Sequence, residues 1–195
     1  VSNEVDCPKT TIVKGDKIPV KVCSSLHVMP DGSRPPNKCP ARKIEAWSPA
    51  IFDGVPDAKG GWRTAKHVVG MDVLVFDVDH ATLAELTALD AAIEREGYRA
   101  ILHSTHSHNP AQDDYCVRVI FECARTLTPS EIVPTREALQ RTLGFRADEQ
   151  TKDPSRLYYV PSRPKGGPDY LFAAVEGRAI EPVSSSAATP FVALP

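Results

Sequence analysis

The chain has 195 residues, a mass of 21.2 kDa, 42% hydrophobic and 25% charged residues, and a formal charge of −2. That mixture excludes a wholly disordered chain, and a pI near 6.3 excludes a protein that coats nucleic acid by charge alone. With no run near the ~20 apolar residues of a membrane helix and no charged-then-apolar opening segment, a cytoplasmic protein without a membrane partner is expected.

In chain order, residues 1–70 read as an irregular N-terminal lobe, 71–181 as the core, and 182–195 as a flexible tail or linker of small residues and proline. Thr11–Val13 and Pro19–Val22 predict short strands, and Met29–Pro40 and Asp53–Gly61 predict loops. From Arg34 to Lys66 the bases Arg34, Lys38, Arg42, Lys43, Lys59, Arg63 and Lys66 outnumber the acids Glu45, Asp53 and Asp57. A phosphate-binding stripe and an ordinary solvated face are both open there. Cys7, Cys23, His27 and Cys39 offer four zinc donors, but without a C-x-x-C pair a structural zinc is not expected. Cys116 and Cys123, in apolar surroundings, predict buried small hydrophobes.

The core is clearer. Asp72–Asp79 (DVLVFDVD) predicts a strand. Thr82-Leu83-Ala84-Glu85 is a capping box, Leu83, Leu86, Leu89 and Ile93 follow at helical spacing, and Gly97 stops the helix. Tyr98–His103 predicts a second strand and Tyr115–Glu122 a third. Thr128-Pro129 opens a second helix that runs to about Leu143 before Gly144, with Pro134 able to move its start to Thr135. Arg156–Val160 predicts a fourth strand beside the first, and Tyr170–Val175 another. Strand, helix, strand, strand, helix, strand is the split βαβ order. The expected fold is α+β, RRM/ferredoxin-like, with both helices on one face of the sheet and the N-terminal lobe on the other.

Period two along the first strand sends Leu74, Phe76 and Val78 toward the helices and Val73, Val75, Asp77 and Asp79 to the opposite face. Carboxylates at i and i+2 stand some 6–7 Å apart at the backbone. Like charges that close are unfavourable unless a cation lies between them, and hard oxygen donors suit Mg²⁺ or Mn²⁺. Arg118 alternates with Val117 and Val119 and should share that face, where an arginine needs an anionic partner. His103, His106 and His108 cluster at the end of the second strand and just beyond it, and Asp148 and Asp153 precede the fourth.

Together these residues resemble the archaeo-eukaryotic primase superfamily, specifically the primase-polymerase domains of plasmid, phage and mobile-element replication proteins. The resemblance covers roughly Trp47 to Gly177. Its carriers are the strand ending Asp77-x-Asp79, the loop Thr105-His106-Ser107-His108, the strand with Arg118, and Asp148 to Pro161 with its D-P-S-R-L-x-Y-x-P run. It implies a nucleotidyltransferase that makes or extends primers from nucleoside or deoxynucleoside triphosphates on single-stranded DNA or a primer-template. It also implies two Mg²⁺ or Mn²⁺ ions on Asp77, Asp79 and Asp148, and nucleotide contacts from His106, Ser107, His108, Arg118 and Arg156. In this reading His106 and His108 compete for the catalytic histidine role, Asp153 competes with Asp148, and a helicase domain or partner is expected.

Three other readings compete. A haloacid-dehalogenase-like phosphatase would use Asp77 as nucleophile, but His80-Ala81 replaces the usual Gly-Thr. A His-hydrophobe-His rolling-circle nickase would use Tyr158 or Tyr159, but Ser107 stands between its histidines and both tyrosines fall in a strand. A non-catalytic nucleic-acid-binding module would stack bases on an open sheet, where Asp77 and Asp79 would repel phosphates.

Overall fold

The computed structural model describes residues 21–23, 46–56, 63–164 and 170–183. Thr11–Val13, the zinc-donor residues Cys7, His27 and Cys39, the loop Met29–Pro40, five of the seven basic-stripe residues and most of the tail lie outside these. In chain order the strands and helices are β1 (Lys21–Cys23), β2 (Ala46–Trp47), β3 (Ala50–Phe52), β4 (Val68–Ala81), α1 (Leu83–Glu96), β5 (Ala100–Ser104), β6 (Tyr115–Leu127), α2 (Pro129–Leu143), β7 (Tyr158–Tyr159), β8 (Ser162–Pro164) and β9 (Phe172–Val175). The fold is α+β. Among the described residues no helix is long and apolar enough to cross a membrane.

The five-stranded sheet has the order β3-β4-β6-β5-β9. Its centre is the split βαβ unit: β4 and β5 each run antiparallel to β6, which lies between them. Leu74 and Phe76 of β4 are fully buried, as are Val117, Val119 and Phe121 of β6 beside them. Phe76 meets Phe121 and Phe145 edge to face, at ring separations of 5.9 and 5.2 Å.

Both helices begin at the expected caps. The Thr82 hydroxyl accepts from the Glu85 N–H, and the Glu85 carboxylate accepts from the Thr82 N–H at 2.8 Å. Leu86, Leu89 and Ile93 are buried, whereas Leu83, in the first turn, is exposed. Gly97 closes α1 with φ 67°, a left-handed turn that favours glycine. α2 starts at Pro129 and continues unbroken past Pro134. A proline there removes only the bond to the Ser130 carbonyl, and the Thr128–Glu131 box, reinforced by Arg125 on the Glu131 carboxylate at 2.7 Å, holds the turn.

The expected fourth strand is not beside the first. Tyr158–Tyr159 pairs with Ala46–Trp47, and Arg156 precedes it. The edge of β4 is taken instead by β3, whose register ends at Val68–Met71. Beyond that point β4 carbonyls are met singly: Arg136 of α2 donates to the Val75 carbonyl at 2.7 Å, and the Asp148 N–H donates to the Asp77 carbonyl at 2.8 Å. The far edge belongs to β9, within the predicted Tyr170–Val175 segment. Gly177 follows it, where a Cβ would lie 2.5 Å from the Gly97 carbonyl oxygen, so only glycine permits the approach.

Candidate active site

A row of polar side chains crosses the sheet on the face away from the helices. Register places Asp77 of β4 opposite Arg118 of β6, Arg118 opposite His103 of β5, and His103 opposite Phe172 of β9. Arg118 donates through Nε to Asp77 Oδ1 at 2.7 Å and through Nη2 to Oδ2 at 3.1 Å, and its third nitrogen donates to the Tyr159 carbonyl at 2.8 Å. Asp77 is 6% and Arg118 8% exposed, so this is a buried, two-pronged ion pair. Tyr158 lies 4.7 Å from the guanidinium and packs on Trp47. The anionic partner that the sequence demands for Arg118 is thus Asp77 itself.

His103 completes the row. Its Nδ1 lies 3.0 Å from the Ser104 carbonyl, its Nε2 is buried without a hydrogen-bond partner, and its ring stacks on Tyr170. Burial first, and the Arg118 charge second, push its imidazole down to about 4, so it is neutral at physiological pH. Trp47, from the segment expected on this face, covers the row together with Tyr158 and Tyr170.

At the end of β4 the acids Asp77 and Asp79 have Asp148 as a neighbour. Asp79 is exposed, and its carboxyl is pushed up by partial desolvation, then by the charges of Asp77 and Asp148. Asp148 arrives through its backbone bond to Asp77 and caps a short helical turn, accepting from the Gln150 N–H at 3.0 Å. Arg156 stands 3.7 Å from Asp148 Oδ2 and donates to Gln150 Oε1 at 3.0 Å. Asp153 is employed elsewhere: its carboxylate accepts from the Ser155 N–H and hydroxyl, capping the next turn.

The three acids offer oxygen donors only, the type that suits Mg²⁺ or Mn²⁺, though among the described residues their oxygens do not all fall within 4.8 Å of one another. A carboxylate offers about four lone pairs, so Asp77 keeps acceptor capacity while it receives two bonds from Arg118. The mutual repulsion felt by Asp79 is what a bound cation relieves.

The histidine loop lies past β5. His108 is buried, packs edge to face on Tyr115 at 5.2 Å, and leaves Nδ1 without a hydrogen-bond partner. Burial lowers its imidazole pKa, against the opposing pull of Asp114. His106 is half-buried and Ser107 exposed.

Sequence reasoning missed Arg136. Buried in α2, it lies 4.1 Å over the Phe76 ring and bonds both the Val75 carbonyl and the Thr151 hydroxyl. It thereby ties the Asp148 turn to β4. Its only sequence signal is a base on the apolar face of a helix.

Two competing chemistries find little support. A buried carboxylate held at both oxygens by a guanidinium is a poor nucleophile, which weighs against a phosphatase built on Asp77. Tyr158 is buried and its phenol is pushed up to about 12 by desolvation, which weighs against it as a nickase nucleophile.

No match was found among curated proteins. Among solved structures the chain is similar to the AEP domain of the cyanophage S-2L primase-polymerase, with 14% identity and a TM-score of 0.43. That likeness covers 62% of this chain and 61% of the other, less than two thirds of its length. A family model described as the VapE N-terminal domain matches residues 54–186, well over half of the sequence and all of the carboxylate cluster. The chain belongs to the VapE N-terminal domain family.

Proposed function

We propose that this domain is a primase-polymerase that transfers nucleotidyl groups from nucleoside or deoxynucleoside triphosphates to a 3′-hydroxyl on a single-stranded DNA template. The reading rests above all on one observation: the Asp148 N–H bonded to the Asp77 carbonyl brings a carboxylate from beyond α2 to the Asp77-x-Asp79 strand end. The resemblance to primase-polymerases in residue pattern agrees with it. Two Mg²⁺ or Mn²⁺ ions on Asp77, Asp79 and Asp148 would supply activation of the attacking hydroxyl and charge compensation on the triphosphate.

The chain's own residues do the rest. Arg118 fixes both oxygens of Asp77, so that carboxylate cannot swing as substrate enters. With its three nitrogens engaged, Arg118 acts here through Asp77 rather than by meeting a phosphate. Phosphate contacts fall to Arg156, on the rim beside Asp148, and to His106, Ser107 and His108 in the loop after β5. A helicase domain or partner would supply the single strand.

The test is incorporation of labelled nucleotides on a single-stranded template, with and without primer, in Mg²⁺ and in Mn²⁺. Asp79→Asn and Asp148→Asn should each lower incorporation by about a thousandfold or more while leaving the circular dichroism spectrum unchanged, since several kcal/mol of transition-state charge stabilisation would be lost. Wild-type-like incorporation by either variant would refute the assignment.

A further inference from the structure

A second, chemically different group of donors lies one residue beyond Asp79. The β4–β6 register slips between Val78 and Ala81, so that Asp79 and His80 together oppose Cys116 alone. His80 takes up the slip with φ 60°, a left-handed conformation uncommon for a side-chain-bearing residue. The bulge sets its imidazole on Asp114: Nδ1 lies 2.9 Å from Asp114 Oδ1. From the other side Cys116 Sγ lies 3.7 Å from the same oxygen. The donor atoms of His80, Asp114 and Cys116 all fall within 4.8 Å of one another.

We propose that His80, Asp114 and Cys116 form a binding site for one zinc-class divalent cation, separate from the carboxylate cluster. Zinc bonds of ~2.0–2.3 Å to nitrogen, oxygen and sulfur set tetrahedral edges of roughly 3.3–3.7 Å. Two of the three edges, at 2.9 and 3.7 Å, lie near that span, and the third is within 4.8 Å. The donor types select the metal: thiolate and imidazole favour Zn²⁺ or Co²⁺ over Mg²⁺ and Mn²⁺, which the oxygen-only cluster suits. Binding forms a sulfur–metal bond and breaks the S–H bond, the proton passing to solvent. His80, mostly exposed, leaves the fourth position to water.

The test is titration of the full chain with Co²⁺, in a Cys7→Ser, Cys23→Ser, Cys39→Ser background that removes the N-terminal thiols. One equivalent should produce a sulfur-to-cobalt charge-transfer band in the near ultraviolet and visible absorption of tetrahedral intensity. Zn²⁺ should erase both, and excess Mg²⁺ should not. Cys116→Ser should abolish the charge-transfer band, and His80→Gln should weaken cobalt binding tenfold or more. Absence of the band, or its survival in Cys116→Ser, overturns the proposal. Should Cys116→Ser fail to fold, unchanged affinity in the exposed-site variant His80→Gln overturns it by itself. Asp148→Asn, which tests the nucleotidyl-transfer reading, should keep the band, so the two ideas fail separately.

Discussion

On the helix side of the sheet, Leu74, Phe76, Val117, Val119 and Phe121 are buried hydrocarbon, and Arg136 over the Phe76 ring is a charge set among them. On the other side, at the C-terminal end of β4, burial is nearly as deep but the buried groups are Asp77, Arg118 and His103. Apolar burial stabilises whatever the partner, whereas a buried charge is tolerable only while its partner stays in place. The helix side therefore specifies the fold. The polar side holds a carboxylate in one orientation, which suits a site that must meet a highly charged substrate.

The sharpest way to break this comparison is to remove one member of the ion pair. Arg118→Met should destabilise the domain by about 3–5 kcal/mol, because Asp77 is left buried and unpaired. Asp77→Leu combined with Arg118→Met should recover most of that loss, since hydrophobes of similar volume replace a buried pair at little cost. On the helix side, Leu74→Ala should cost about 2–5 kcal/mol through the cavity it leaves, with no opposite residue whose loss would restore it. Urea denaturation of the four proteins reads all of this. An Arg118→Met protein as stable as the wild type would remove the distinction between the two faces.

The helix side was legible in the sequence because its signals are local: the Val-Leu-Phe run of β4, the Thr82–Glu85 box, Gly97 and Gly144. Asp77 and Arg118 were legible as residues that needed partners, though not as each other's, since the pairing is set by cross-strand register. Asp148 is read from the sequence as lying just before a strand paired with the first, which the structure does not form. The segment after α2 does reach β4, but through one backbone bond and the Arg136 tether rather than as a paired strand. Tyr158–Tyr159 looks like a central strand by composition, yet its partner is Ala46–Trp47, more than a hundred residues away in the chain, and nothing local encodes that choice. The bulge at His80 was hidden too, because no glycine marks it.

A smaller effect sharpens the comparison by pH. His103 is held near 4 in the fold against an ordinary value of 6.5, so the unfolded chain binds the proton first as pH falls. The stability from its neutral form is complete above about pH 6.5 and drains away between there and about pH 4. At pH 4.5 the loss from this one group is on the order of 2–3 kcal/mol. His103→Leu should show a shallower decline over that window than the wild type, measured by urea midpoints at intervals of pH. Equal slopes would mean that the imidazole takes up its proton without disturbing the row.

The smallest expected effect has the opposite sign. Asp79 has its carboxyl raised by desolvation and by Asp77 and Asp148, so the folded chain holds that proton more tightly than the unfolded one. Its contribution is favourable at acid pH and is lost as pH rises through the raised value, which makes ionised Asp79 a liability in the metal-free protein at neutrality. Asp79→Asn should therefore raise the melting temperature slightly at pH 7.5 without metal, and the gain should shrink toward zero near pH 4. The increment is modest because the side chain is exposed and its repulsions are screened. Added Mn²⁺ should stabilise the wild type by mass action and do so much less in the variant. A variant that melts lower than the wild type at pH 7.5, yet responds equally to Mn²⁺, would show that Asp79 sits apart from the other two acids and holds no cation with them.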